Sequence, residues 1–219
     1  MNTPRIKQAK RLVVFGCSLT YGHGLPDCIG LDRNDPGPNP SKMGWPNLLA
    51  YKIGLTNQQV ANVSRCGAGN NWIWHSAANF EYQKGDLVIV NWSYIDSRWD
   101  ILVSRTTFTS VGAGFTSELS KNYVKHFGDT MSWDLSQHFF VRANHLNYML
   151  KEKGIDCFNL TVDPVGLEYH LPHVTWNQVN FLKPSINTLR PKYPKAADGS
   201  HPGLDCHVEF ANQVYEALL

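Results

Sequence analysis

Two short segments at opposite ends of the chain carry residue types that can do chemistry together. The first, Val13-Val14-Phe15-Gly16-Cys17-Ser18-Leu19-Thr20-Tyr21-Gly22, is an apolar run leading into a serine flanked by glycines. The second, Asp198-Gly199-Ser200-His201, sets a carboxylate and an imidazole three positions apart, just before a closing helical pattern. A serine hydroxyl is a weak nucleophile until a neighbouring base takes its proton, and that base works better when a carboxylate orients it. The order Ser18…Asp198-x-x-His201 supplies all three parts. Each part also has a plainer use. Ser18 suits a helix cap or turn, Asp-x-x-His recurs by chance, and Cys17 reads as a small residue packed beneath the turn rather than a rival nucleophile.

The elements that must hold these residues follow from hydrophobic patterning. Leu12 to Phe15 is a continuous apolar run, as in a strand buried on both faces. A loop rich in Pro, Gly, Asp and Asn spans Pro26 to Pro40. A helix then follows, with Pro46 in its first turn, apolar Trp45, Leu48, Leu49 and Ile53, and Gly54 as its stop. Val60 to Val63 reads as a second strand, Gly67-Ala68-Gly69-Asn70 as the turn after it, Trp72 to Tyr82 as a helix and Leu87 to Trp92 as a third strand. Residues 97–131 lack a clean period and read as an insertion with a short hairpin. Trp133 to Lys153 is a helix whose stripe is Leu135, Phe139, Ala143, Leu146 and Leu150, ended by Gly154. Ile155 to Val162 is the fourth strand. Residues 163–197 hold five of the twelve prolines and read as a second insertion, of the kind that lines a cleft. Val208, Ala211, Tyr215 and Leu218 mark the closing helix.

Such alternation predicts one α/β domain over residues 1–219, a three-layer sandwich around a doubly wound, mainly parallel sheet. Ligands of such sheets bind at the carboxyl ends of the strands. Ser18, Gly67 and the Asn91 to Asp96 segment follow strands one, two and three, so all are expected on one rim.

Composition narrows the function classes. A chain of 219 residues can bury one full core, and 42% hydrophobic with 17% charged residues reads as an ordinary globular protein. A net charge of +2, with no long Lys/Arg run, gives no footprint for nucleic acid or an anionic membrane. Aromatic residues at 12% suit a sugar-lining cleft, but suit an ordinary core better. The five cysteines are odd in number and show no Cys-x-x-Cys pair, a pattern of free thiols in a reducing compartment. The first eleven residues are polar and basic, and the apolar run after them is too short for a signal peptide or a membrane span. A cytoplasmic or virion-associated protein is expected. Sequons at Asn62, Asn91 and Asn159 fall in or beside strands and read as accidental. His170 and His173 form the only other suggestive histidine pair, but no further ligand has suitable spacing, so neither metal nor cofactor is expected.

The blocks together resemble the SGNH hydrolases, the GDSL esterase/lipase family, whose first block reads Gly-Asp-Ser-x-Thr-x-Gly. Here it reads Gly16-Cys17-Ser18-Leu19-Thr20-Tyr21-Gly22, with Cys17 in place of the aspartate. The resemblance implies Ser18 as nucleophile, His201 as base and Asp198 as its orienting carboxylate. Asn62-Val63-Ser64-Arg65-Cys66-Gly67 resembles the second block, which implies that the N–H groups of Ser18 and Gly67 face a developing oxyanion, with Gly69 the alternative to Gly67. The third block departs. Where the family has Gly-x-Asn-Asp, this chain has Ser93-Tyr94-Ile95-Asp96, and an isoleucine donates no hydrogen bond. Either Asn70, Asn91 or Ser93 substitutes, Asn70 being the favoured donor, or the oxyanion is less well stabilised. Trp92-Ser93 with Arg98 nearby, and Gly44-Trp45-Pro46-x-Leu48-Leu49, resemble a divergent bacteriophage branch of the family. The resemblance implies an esterase acting on a small-molecule or carbohydrate ester, plausibly an O-acetyl group. An O-acyltransferase, or a carbohydrate-binding or virion structural module that has lost the chemistry, are the other classes it leaves open.

Overall fold

The structure, a computed structural model, describes every residue except 1–4, 33, 96–97, 103–107, 113–116, 128–131 and 171–179. Its centre is a four-stranded parallel sheet made of β1 (Arg11–Phe15), β2 (Val60–Asn62), β3 (Asp86–Trp92) and β6 (Asp156–Thr161). The spatial order is β2-β1-β3-β6, the doubly wound order in which the chain reverses direction beside β1. Leu12 to Phe15 and Leu87 to Val90 are almost wholly buried, which is why both strands read as unbroken apolar runs. Two asparagines are tolerated among them. Asn159 accepts from Trp92 Nε1 at 2.7 Å, and Asn91 donates to Thr20 Oγ1 at 3.0 Å. Both are fully buried, consistent with reading their sequons as accidental.

Helices cover the sheet in two groups. One comprises α2 (Trp45–Lys52), α7 (Ile186–Leu189) and α8 (Leu204–Leu218); the other comprises α3 (Asn70–Ala78), α5 (Ser132–Glu152) and α6 (Pro164–His170). Trp45 meets Phe210 edge-on in the first group, and Trp92 of β3 meets Phe139 of α5 in the second. A one-turn helix, α1 (Ser18–Tyr21), follows β1 directly.

Several expectations need refinement. The closing helix buries Cys206, His207, Phe210, Ala211, Val214 and Leu218, whereas Val208 is exposed. A buried histidine in the stripe shifted the apparent phase. His207 accepts a hydrogen bond from the Trp45 backbone N–H at 3.2 Å and so joins α8 to the start of α2. The first insertion does hold an antiparallel hairpin, β4 (Arg98–Leu102) with β5 (Phe108–Gly112), and also a helix not foreseen, α4 (Glu118–Phe127). In the second insertion α6 and α7 are short helices where no periodicity was evident.

The third helix begins two residues earlier than its apolar pattern suggests, and Asp100 of β4 is the reason. Its buried carboxylate accepts the Gly69 N–H at 3.1 Å and the Trp72 N–H at 2.9 Å, the orphan donors of the first turn. A negative group at that end also suits the helix dipole. Ser110 Oγ donates to the same carboxylate at 2.7 Å, and Arg65 lies 3.7 Å away. The hairpin is thereby fastened to the rim of the sheet.

Candidate active site

Ser18 stands where β1 gives way to α1. No side chain fits at Gly16, because a Cβ there would collide with Thr20. The Asn91 carboxamide holds Thr20 from beneath, so the turn carrying Ser18 is anchored to β3. Ser18 is the first residue of its helical turn and buried, with an accessibility of 8%.

His201 arrives from the loop before α8. Its Nε2 lies 2.9 Å from Ser18 Oγ, across 183 residues of sequence. Its Nδ1 meets Asp198 Oδ2 in a short contact, which fixes Nδ1 as the protonated nitrogen when the imidazole is neutral. The Asp198 side chain is 3% exposed. Burial works against its charge, but the N–H groups of His201 and Ser200, the His201 ring and the Ser200 hydroxyl outweigh that and hold its pKa well below the usual carboxylate range. Burial likewise lowers the His201 pKa below 6.5; Asp198 opposes the shift, and His23 and Arg190 add to it. Gly24, at φ +83°, lets the chain pass against Asp198, where a Cβ would come within 2.9 Å of Oδ1. Its carbonyl accepts the Ala197 N–H at 3.1 Å.

Above these groups lies a cavity of about 190 Å³ lined by Cys17, Ser18, Leu19, Tyr94, Arg190, Ser200 and His201. A serine hydroxyl bonded to a neutral imidazole, itself bonded to a carboxylate, can pass its proton to the ring as it attacks a carbonyl. Sequence reasoning brought Ser18, Asp198 and His201 forward, and the structure places them in one hydrogen-bonded row. It did not bring forward Arg190, Tyr94, Ser200 or His23. His23 is buried, its ring centroid 4.5 Å from that of His201, and its Nε2 has no partner among the described residues. Its place between Gly22 and Gly24 was the one available signal.

The donors expected for an oxyanion are arranged differently. Gly67, at φ +76°, is not among the residues lining the cavity, whereas Ser18 lines it and its N–H opens the first turn of α1. Asn70, the favoured amide, is occupied. Its Nδ2 donates to the carbonyls of Ser93 and Tyr94, each at 3.3 Å, and its Oδ1 accepts the Ser93 N–H at 2.8 Å. It buckles the β3 loop to the start of α3. Asn91 is spent on Thr20. Neither amide lines the cavity, and neither does Ile95, which is buried elsewhere. Ser93 Oγ is buried without a partner among the described residues.

Metal ligation has one candidate among the described residues. His23, Asp198 and His201 bring one ligand atom each within 4.8 Å of one another. A cation there would compete for the contact that orients His201. His173 and Asp96 lie outside the described residues. No described helix is long and apolar enough to cross a membrane.

No protein-family model matches this sequence, and no curated protein resembles it in sequence. Solved structures do resemble its fold. One is a carbohydrate esterase whose active site displays divergent catalytic and non-catalytic binding functions, matched at TM-score 0.54 and 12% identity over 96% of this chain. The match covers 65% of that esterase, so this chain spans less than two thirds of its length. Another is TesA, at TM-score 0.50 and 16% identity, covering 95% of this chain and 99% of TesA. The likeness is one of fold, a central parallel sheet of four strands flanked by helices.

Proposed function

We propose that this protein is a serine ester hydrolase whose nucleophile is Ser18. The observation that carries the reading is the unbroken row from Ser18 Oγ through His201 to Asp198 at the mouth of a cavity. In this scheme Ser18 Oγ attacks the ester carbonyl while its proton moves to His201 Nε2. The tetrahedral oxyanion faces the Ser18 N–H, which opens α1 at the cavity wall. His201 then returns the proton to the departing alcohol, leaving an acyl group on Ser18. Water, deprotonated by His201, releases the acid and restores the hydroxyl. Asp198 keeps the ring in the right tautomer and stabilises its charged form.

The substrate on this reading is a short acyl ester, an O-acetyl group on a carbohydrate. A cavity of about 190 Å³ is smaller than the roughly 300–1,000 Å³ of drug-sized sites, and it suits an acetyl better than a long chain. The likeness to a carbohydrate esterase adds support for the sugar. p-Nitrophenyl acetate and its octanoate homologue test the reading, with turnover expected for acetate above octanoate. Ser18→Ala and His201→Ala are each expected to remove nearly all activity. An active Ser18→Ala enzyme, or activity that follows Cys17, would mean that the nucleophile is another group.

A non-catalytic binding module is the second reading. The engagement of both Asn70 and Asn91 elsewhere favours it, because loss of one oxyanion donor commonly lowers turnover about 100- to 1,000-fold. Sugar binding without release of acetate would select it.

A further inference from the structure

Among the described residues, Arg190 is the only permanently charged side chain lining the cavity above Ser18. It sits where α7 passes into a single 3-10 turn, Arg190–Lys192, in which the ring of Pro191 fixes that residue's own φ. That platform is firm. Ile186 and Leu189 are buried beneath it, and Asn187 Oδ1 accepts from Tyr94 Oη at 3.3 Å, tying the turn to another wall of the cavity. Arg190 as a whole residue is half-buried, yet among the described residues no carboxylate lies within 4 Å of its guanidinium and none of its N–H groups is bonded. Asp198 is committed to His201 and Ser200.

Leaving such a group unpaired has a cost. A guanidinium cannot lose its proton, and it offers a rigid fork of donors matched to carboxylate or phosphate oxygens. Beside His201 it also opposes the positive charge that the ring acquires as it takes the Ser18 proton. Both disadvantages vanish when a substrate brings an anion to that wall. We infer that Arg190 is a specificity residue that selects esters bearing an anionic group on the alcohol side, close to the scissile bond. The natural substrate on this account is an acylated acidic molecule, such as a sugar carrying a carboxylate, rather than a neutral one. The inference rests on the ester-hydrolase reading and narrows it.

The test compares 4-acetoxybenzoate with its methyl ester, two acetates that differ in one negative charge, with rates corrected for their hydroxide-catalysed hydrolysis. The anionic ester is expected to have a kcat/KM about 10- to 100-fold higher, the size of a charge-assisted hydrogen bond. Arg190→Gln should bring the ratio close to one, Arg190→Lys should keep part of it, and added NaCl should erode it. A wild-type ratio at or below one overturns the inference. So does a ratio unchanged in Arg190→Gln, or an equal loss for both esters, which would make Arg190 an oxyanion group instead. Titrating Ser18→Ala with 4-hydroxybenzoate and its methyl ester reads recognition without turnover. Charge-dependent binding that Arg190→Gln removes, with neither ester hydrolysed, would sustain Arg190 and reject the hydrolase. Hydrolysis without charge preference would do the reverse, and failure of both measurements rejects both.

Discussion

At the scale of single residues, the proposed ester hydrolysis depends on the acid–base state of His201. Burial lowers its pKa below 6.5 while Asp198 pulls the other way, and only the neutral ring can accept the Ser18 proton. The acid limb of a kcat/KM profile is therefore expected below pH 6.5, with a plateau through neutrality; a limb above 7 would contradict the burial. Asp198→Asn should lower kcat sharply yet leave a measurable remainder, and move that limb further down, because the group that raises the His201 pKa has gone. Ser18, Asp198 and His201 were legible because a glycine-framed serine and an Asp-x-x-His pair are local patterns with a chemical meaning. Arg190 was not, since an arginine in a proline-rich stretch has no pattern, and its role depends on what the fold brings opposite. Asn70 shows the converse. Its type and position suited a donor, but the Ser93 and Tyr94 backbone groups take up its amide.

Among elements, β1 and β3 were the easiest to read, because burial on both faces leaves an apolar run that no surface helix imitates. The third helix was harder. Its start is set by Asp100, which lies 28 to 31 residues further along the chain, and no local signal marks it. Asp100→Ala leaves the Gly69 and Trp72 N–H groups without acceptors and Arg65 without its counter-ion. A loss of about 1–3 kcal/mol is expected in urea unfolding, the usual cost of buried donors left unpaired. Because Arg65 also stacks over Trp72 at 4.6 Å, native tryptophan fluorescence should change in the same variant. Unaltered stability and emission would show that the hairpin is not fastened as described. The helix α4 escaped reading for a different reason: it lies in an insertion whose Thr, Ser, Phe and Gly gave no sustained period.

For the whole molecule, acid is the expected weak point. The His207 ring is buried against the Trp45 N–H, and burial depresses its pKa to about 3. The unfolded chain takes up that proton near pH 6.5, whereas the folded one resists it, so stability is complete above about 6.5 and falls as pH drops toward 3. One such group contributes about 1.4 kcal/mol per pH unit in that window. His201 acts in the same direction, and Asp198 adds its share only below about 3.8, where the unfolded carboxylate begins to protonate. Urea midpoints at pH 7, 6 and 5 should decline in the wild type and decline less steeply in His207→Gln. The pairing of Ser18 with His201 also sets an order of events in time. Contacts so far apart along the chain form slowly, since a long loop must close before they give any return. All four strands of the sheet are complete by Thr161, whereas His201 arrives 40 residues later. During refolding from urea, far-UV circular dichroism should recover first and ester hydrolysis last, with the delay between the two signals measuring the docking of the final segment.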